Sequence, residues 1–96
     1  MSDLFEDFSF SDFNGDISTW DVSNVTNMSS MFVECVVFNQ DISNWDVLNL
    51  IDMNNMFLSC KEFNQDISNW DVSKVKNSEN VFSNCPIEEK YKPKFL

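Results

Sequence analysis

The sequence predicts an α/β solenoid: three 25-residue strand-turn-short-helix units, with a half-unit cap before them and a tail after them. Three observations predict it. The chain repeats without a gap, the apolar spacing changes character half-way through each repeat, and both ends depart from the repeat. Repetition is weighed first, because a fixed period decides the architecture before any local preference does.

The units run 13–37, 38–62 and 63–87, and residues 38–47 and 63–72 are identical. Before them, Leu4-Phe5-Glu6-Asp7-Phe8 follows the pattern of Met31-Phe32-Val33-Glu34-Cys35. Residues 1–12 therefore read as the back half of a unit, placed to cover the first coil. Inside a unit, Trp20-Asp21-Val22 alternates apolar and polar, the mark of a short strand. Met28, Met31, Phe32 and Cys35 then fall at i, i+3, i+4 and i+7, the stripe of an amphipathic helix. Thr26 or Asn27 is placed to cap that helix, and Asp52 does so in unit two. Two helical turns are too short to stand alone in water, so each unit must pack on its neighbour. Unit three carries Ser78 and Val81 where the others have Met, which makes its stripe less apolar. Pro86 interrupts that unit. The charged tail 88–96 holds Tyr91 and Phe95, placed to fold back as a lid over an end that would otherwise expose core. The whole of 1–96 is one domain.

Hydrophobic residues make up 43% of the chain, enough for a packed interior and too many for a disordered one. With one Gly and two Pro, the turns must come from Asn, Asp and Ser. The net charge is -10, with no His. Residues 1–60 hold ten acids and no Lys, whereas 61–96 hold six of each. Such a surface repels phosphate, which argues against nucleic acid and against anionic membrane surfaces. No apolar run is long enough for membrane insertion. Met1–Asp7 has neither a basic nor an apolar signal region, so an intracellular or virus-particle-associated protein is expected.

The spacing Ile17-x-x-Trp20-x-Val22-x-x-Val25 resembles a leucine-rich-repeat strand segment. Three copies carry Phe, Asn, Asp-Ile-Ser, Trp-Asp-Val and Phe-x-x-Cys in register, a pattern that resembles the BspA-like surface repeat, also met as the Mycoplasma-type lipoprotein repeat. The resemblance covers 13–87 and the half-unit before it. It implies a leucine-rich-repeat-like curved or twisted solenoid, and in bacterial members a role in adhesion or protein binding. Similar repeats occur in giant DNA viruses and some protists, whose chain ends the tail Glu88–Phe95 resembles. Bacterial members usually carry an export signal and many more repeats than this sequence shows.

Cys35, Cys60 and Cys85 recur every 25 residues and form one column. Zinc requires close ligand pairs or His, and this chain has neither. A disulfide between neighbours leaves one of three unpaired, and a small buried apolar role is the favoured reading. Asp16, Asp41 and Asp66 form a second column and Asp21, Asp46 and Asp71 a third. Carboxylates stacked ~4.8 Å apart repel by roughly 1 kcal/mol even in water. Calcium held between Asp16, Asp41 and Asp66 is one way to offset this. Hydrogen bonds from nearby backbone amides at a turn are the favoured one. Asn14, Asn39 and Asn64 are expected to tie one coil to the next. Trp20, Trp45 and Trp70 are expected in the core. Thr19, Asn44 and Asn69 point the other way. With Asp21, Asp46 and Asp71 they are the candidate partner-binding strip.

No P-loop, nucleophile elbow or catalytic set is visible, and no cofactor is implied. The expected function is a non-enzymatic protein–protein interaction module. The alternative is a structural, self-assembling component, for instance of a virus particle, joined as a homo-oligomer through open solenoid ends. A calcium- or glycan-binding surface is the weaker third reading.

Overall fold

In units one and two, half of the amides in the second part of the unit bond to the next unit, not to their own. In the computed structural model, which describes residues 14–95, the N–H groups of Met28, Ser30, Phe32 and Glu34 donate to the carbonyls of Asp52, Asn54, Met56 and Leu58 at 2.8–2.9 Å. Met53, Asn55, Phe57 and Ser59 donate in the same register to Asn77, Glu79, Val81 and Ser83. The residues between them bond backward within the unit: Met31 to Met28, Val33 to Ser30, Cys35 to Phe32. These are overlapping β-turns, each closing on the third residue back. An α-helix would close every amide on the fourth.

The backbone dihedrals agree. Ser30, Glu34, Asn55, Ser59, Asn80 and Asn84 all have φ between 56° and 61°. These are the same two positions in every unit, and the left-handed region breaks a right-handed helix at each of them. Asn tolerates that region better than most residues, and three of the six are Asn. The cross-unit bonds, four from alternate amides at each of the two interfaces, hold the conformation in place.

The expected α/β solenoid is therefore not what the chain forms. Among the described residues the only helical element is the 3-10 turn Glu89–Tyr91. The expected strand at Trp20–Val22 is absent too. Turns closed by Trp20 N–H on the Ile17 carbonyl (3.1 Å) and Val25 N–H on the Val22 carbonyl (3.0 Å) occupy that stretch. The pairing that exists is two isolated parallel bridges, Asn27 to Asp52 and Asp52 to Asn77, with no sheet among the described residues. The leucine-rich-repeat-like expectation falls with the strand and the helix. Apolar spacing reports which residues face inward. A chain of tight turns meets the same spacing as a helix does, and periodicity does not separate the two.

The inward residues are those expected. Met28, Met31, Phe32 and Cys35 are buried, as are Met53, Met56, Phe57 and Cys60. Phe32, Phe57 and Phe82 stack as a column at 5.4 and 5.6 Å between ring centroids. Phe38 and Phe63 stack at 5.9 Å, and each lies 4.4 Å from the Phe of the unit before it. These separations lie at or near the favourable range for offset aromatic pairs. Trp45 and Trp70 are buried and stacked at 6.4 Å. Their indole N–H groups donate back one unit, to the carbonyls of Ile17 and Ile42 at 3.1 Å. Trp20 departs from the expected burial and is 40% exposed. It belongs to the first unit, which has a described unit on one side of it. The molecule measures 29 × 28 × 23 Å, nearly as thick as it is wide.

The two sequence ends behave differently. Glu88 N–H donates to Asn64 Oδ1 at 2.9 Å, as Asn64 does to Asn39 and Asn39 to Asn14. Glu88 therefore takes the Asn place of a new unit, one residue early, and buried Ile87 takes the place of the Phe. Pro86 lies where the unit is shortened. Of the two aromatic residues expected to form the lid, Tyr91 packs on the core and its carbonyl accepts from Ile67 N–H at 3.0 Å. Phe95 stays 37% exposed. The cap expected at 1–12 lies outside the described residues.

Candidate functional site

The polar residues of each unit divide into those that build turns and those that face outward. Asp16 begins a turn: its Oδ1 accepts from Ser18 N–H at 3.0 Å and from Ser18 Oγ–H at 2.8 Å. Asp66 repeats this with Ser68, and Asp41 accepts from Ser43 N–H at 2.9 Å. Asp21 and Asp71 accept from the N–H of Ser23 and Ser73, and Asp46 from that of Leu48. In each case the carboxylate caps the amide two residues on. Asn27 and Asp52, expected as helix caps, do the same to Ser29 and Asn54. They cap turns where the sequence suggested helices.

These bonds favour the ionised carboxylate and set its titration. In Asp16 the backbone amide of Ser18 is the largest cause and its hydroxyl the second, and together they hold the carboxyl below its ordinary 3.8. In Asp21, Asp41, Asp66 and Asp71 the Ser side chain two residues on comes first and its amide second, with the same direction. A lowered native value means stability that is present above 3.8 and lost as pH falls through the lowered value. Carboxyl-carbon NMR titration is expected to give midpoints below 3.8 for these five. Midpoints at or above 3.8 would mean that the turns do not form in solution.

The calcium candidates Asp16, Asp41 and Asp66 are all exposed, each occupied with its own turn. Among the described residues no group of three or more His, Cys, Asp or Glu is arranged to hold a metal ion. The thermal midpoint is expected to be the same with calcium as with chelator, and a rise with calcium would restore the metal reading.

All six residues of the candidate partner strip, Thr19, Asp21, Asn44, Asp46, Asn69 and Asp71, are exposed. They recur at the same place in each unit and make two parallel columns beside the Trp column. Side chains at and near the strip tie neighbouring units together. Asn49 Nδ2–H donates to the Ser23 carbonyl at 2.9 Å, and Asn69 Nδ2–H to that of Ser43 at 3.3 Å. On another side, Gln40 and Gln65 donate to the backbone and side-chain oxygens of Asn14 and Asn39 at 3.0–3.1 Å. The expected bonding role of the Asn column is thus present, with Gln as a second member that sequence reading missed. Its signal was there: an unvarying Asn-Gln pair at 39–40 and 64–65. Leu48 and Ile51, also missed, are 41% and 38% exposed and follow Asn44 and Asp46 in unit two. Their signal is that units one and three carry Ser and Thr or Lys at those places.

A family model described as Mycoplasma protein of unknown function, DUF285, matches residues 1–92. The chain belongs to this family. No curated protein and no solved structure matches it. Within this DUF285 chain Cys35, Cys60 and Cys85 form no disulfide with one another. Cys60 Sγ–H donates to the Phe32 carbonyl at 3.0 Å. Burial, reinforced by neighbouring Cys85 and Cys35, pushes its pKa up to about 12, the reverse of what a reactive nucleophile needs. Among the described residues no helix is long and apolar enough to cross a membrane.

Proposed function

We propose that this DUF285 chain is a non-enzymatic protein-binding module whose contact face is the double column of Thr19, Asn44 and Asn69 with Asp21, Asp46 and Asp71. The observation that carries the reading is that all six residues are exposed while Asn49 and Asn69 tie the units that present them. A rigid polar surface loses little conformational freedom on binding. Its three aspartates favour a basic partner and steer its approach. Exposed Leu48 and Ile51 of unit two supply apolar contact of the kind that anchors an interface. The resemblance to BspA-like surface repeats supports the same reading, because adhesion and protein binding are what those repeats do in bacteria. The raised thiol pKa of Cys60 and Cys85 and the turn-bound carboxylates favour binding over catalysis.

The test is site-specific photo-crosslinking in extract of the native source, from Asn44 and, as control, from Ser83. A discrete adduct is expected from Asn44 alone. The double variant Thr19→Arg, Asn44→Arg is expected to melt with the native chain, since exposed substitutions change stability by about 0.5 kcal/mol or less each. A variant of that kind that still captures the same protein through its remaining surface would remove the strip from the reading.

A further inference from the structure

The last unit ends in a row of amide donors with the register of an interface and no acceptor opposite. In units one and two, alternate amides are consumed by the next unit's carbonyls. The corresponding groups in unit three are the N–H of Ser78, Asn80, Phe82 and Asn84. Among the described residues none of the four meets an acceptor. A row of unpaired edge amides is a template for another backbone.

The tail does not close this row. Glu88 and Tyr91 pair with Asn64 and Ile67, so the returning chain covers the first half of unit three. The second half stays open. Phe82, Val75 and Cys85 are partly exposed, whereas their counterparts in unit two, Phe57, Leu50 and Cys60, are fully buried. Lys92 Nζ lies 5.5 Å from the Phe82 ring centroid and bonds to Glu89. The opposite end differs: Met28, Met31, Phe32 and Cys35 of unit one are already buried. A second copy stacked head to tail would therefore find these four side chains already covered.

Charge narrows the occupant. Lys74 and Lys76 replace Asn24 and Thr26 of unit one and Asn49 and Ile51 of unit two. Both are exposed; Lys74 Nζ donates to Asn49 Oδ1 of unit two at 3.3 Å, and Glu79 is the one acid between Lys76 and the row's end. We infer that the open half of unit three is a docking edge for an acidic segment of another protein. That segment adopts the turn path of this repeat and presents alternate carbonyls to Ser78, Asn80, Phe82 and Asn84. Backbone pairing supplies affinity and the Val75–Phe82 surface supplies apolar contact, as in other edge-addition complexes. This edge is separate from the polar strip and stands whether or not the strip binds anything.

The test uses the full chain and a synthetic peptide of residues 50–60, with Cys60→Ser. That segment carries Asp52 and no Lys, and it presents its carbonyls to unit one in the native fold. Amide exchange of the four donors, followed by NMR, is expected to slow on adding the peptide and to be unaffected by a scrambled peptide. The double variant Lys74→Glu, Lys76→Glu is expected to bind it about tenfold or more weakly. Unchanged exchange at the four amides, or equal slowing by the scrambled peptide, would overturn the inference. So would a free chain that dimerises with these amides already protected, since the occupant would then be a second copy.

Discussion

Phe57→Ala is expected to destabilise the protein by about 3–5 kcal/mol, the usual cost of emptying a buried Phe site. Phe57 has no exposed surface and lies at the crossing of both Phe columns. Its ring centroid is 5.4 Å from that of Phe32, 5.6 Å from Phe82 and 4.4 Å from Phe63. Backbone bonds at Phe57 bind unit two to unit three, so the surrounding chain has little freedom to collapse into the cavity. A domain of this size has about 5–15 kcal/mol in total, so the variant loses a large part of its stability. Urea unfolding of the variant against the native chain measures it. Phe95→Ala, at a residue already 37% exposed, is the matched control and is expected to cost far less. Equal losses for the two would mean that the columns do not form the core.

The second expected result concerns backbone shape. Asn55 has φ 60° and its N–H donates to the Glu79 carbonyl at 2.9 Å. Asn55→Val places a branched Cβ in the left-handed region and is expected to cost about 1–3 kcal/mol. Asn55→Gly removes the steric conflict and is expected to be close to neutral. In the interior of a helix the order reverses, because Gly there costs about 1 kcal/mol and Val less. Urea midpoints of the two variants therefore separate a chain of turns from a helix. A Gly variant less stable than the Val variant would count for the helix.

The inward-facing set was readable in the sequence because burial follows apolar spacing whatever the backbone does. Met28, Phe32 and Cys35 face the core as that spacing requires. Hydrogen bonding was not readable from it. Nothing in Met-Ser-Ser-Met-Phe says that Ser30 takes a positive φ and that Phe32 bonds to Met56. Asn55, Asn80 and Asn84 hint at the left-handed sites, yet Glu34 occupies one of them and carries no such preference. The Asp columns were assigned correctly to turns, because each Asp precedes a Ser or Leu amide by two residues and the contact is local. Trp20 was misjudged because its repeat position matches Trp45 and Trp70 while its neighbours in space do not. The open amides at Ser78–Asn84 depend on which half of unit three the tail covers. Pro86 and the one-residue shift at Glu88 decide that, and spacing within a unit contains neither.

The register that joins the units is tested most directly by through-hydrogen-bond couplings between amide nitrogens and carbonyl carbons, measured by NMR on labelled protein. Correlations are expected from Phe32 N to the Met56 carbonyl and from Phe57 N to the Val81 carbonyl, each 24 residues ahead. Correlations from these amides to carbonyls four residues back, at Met28 and Met53, would contradict the stacked-turn architecture and restore the helix.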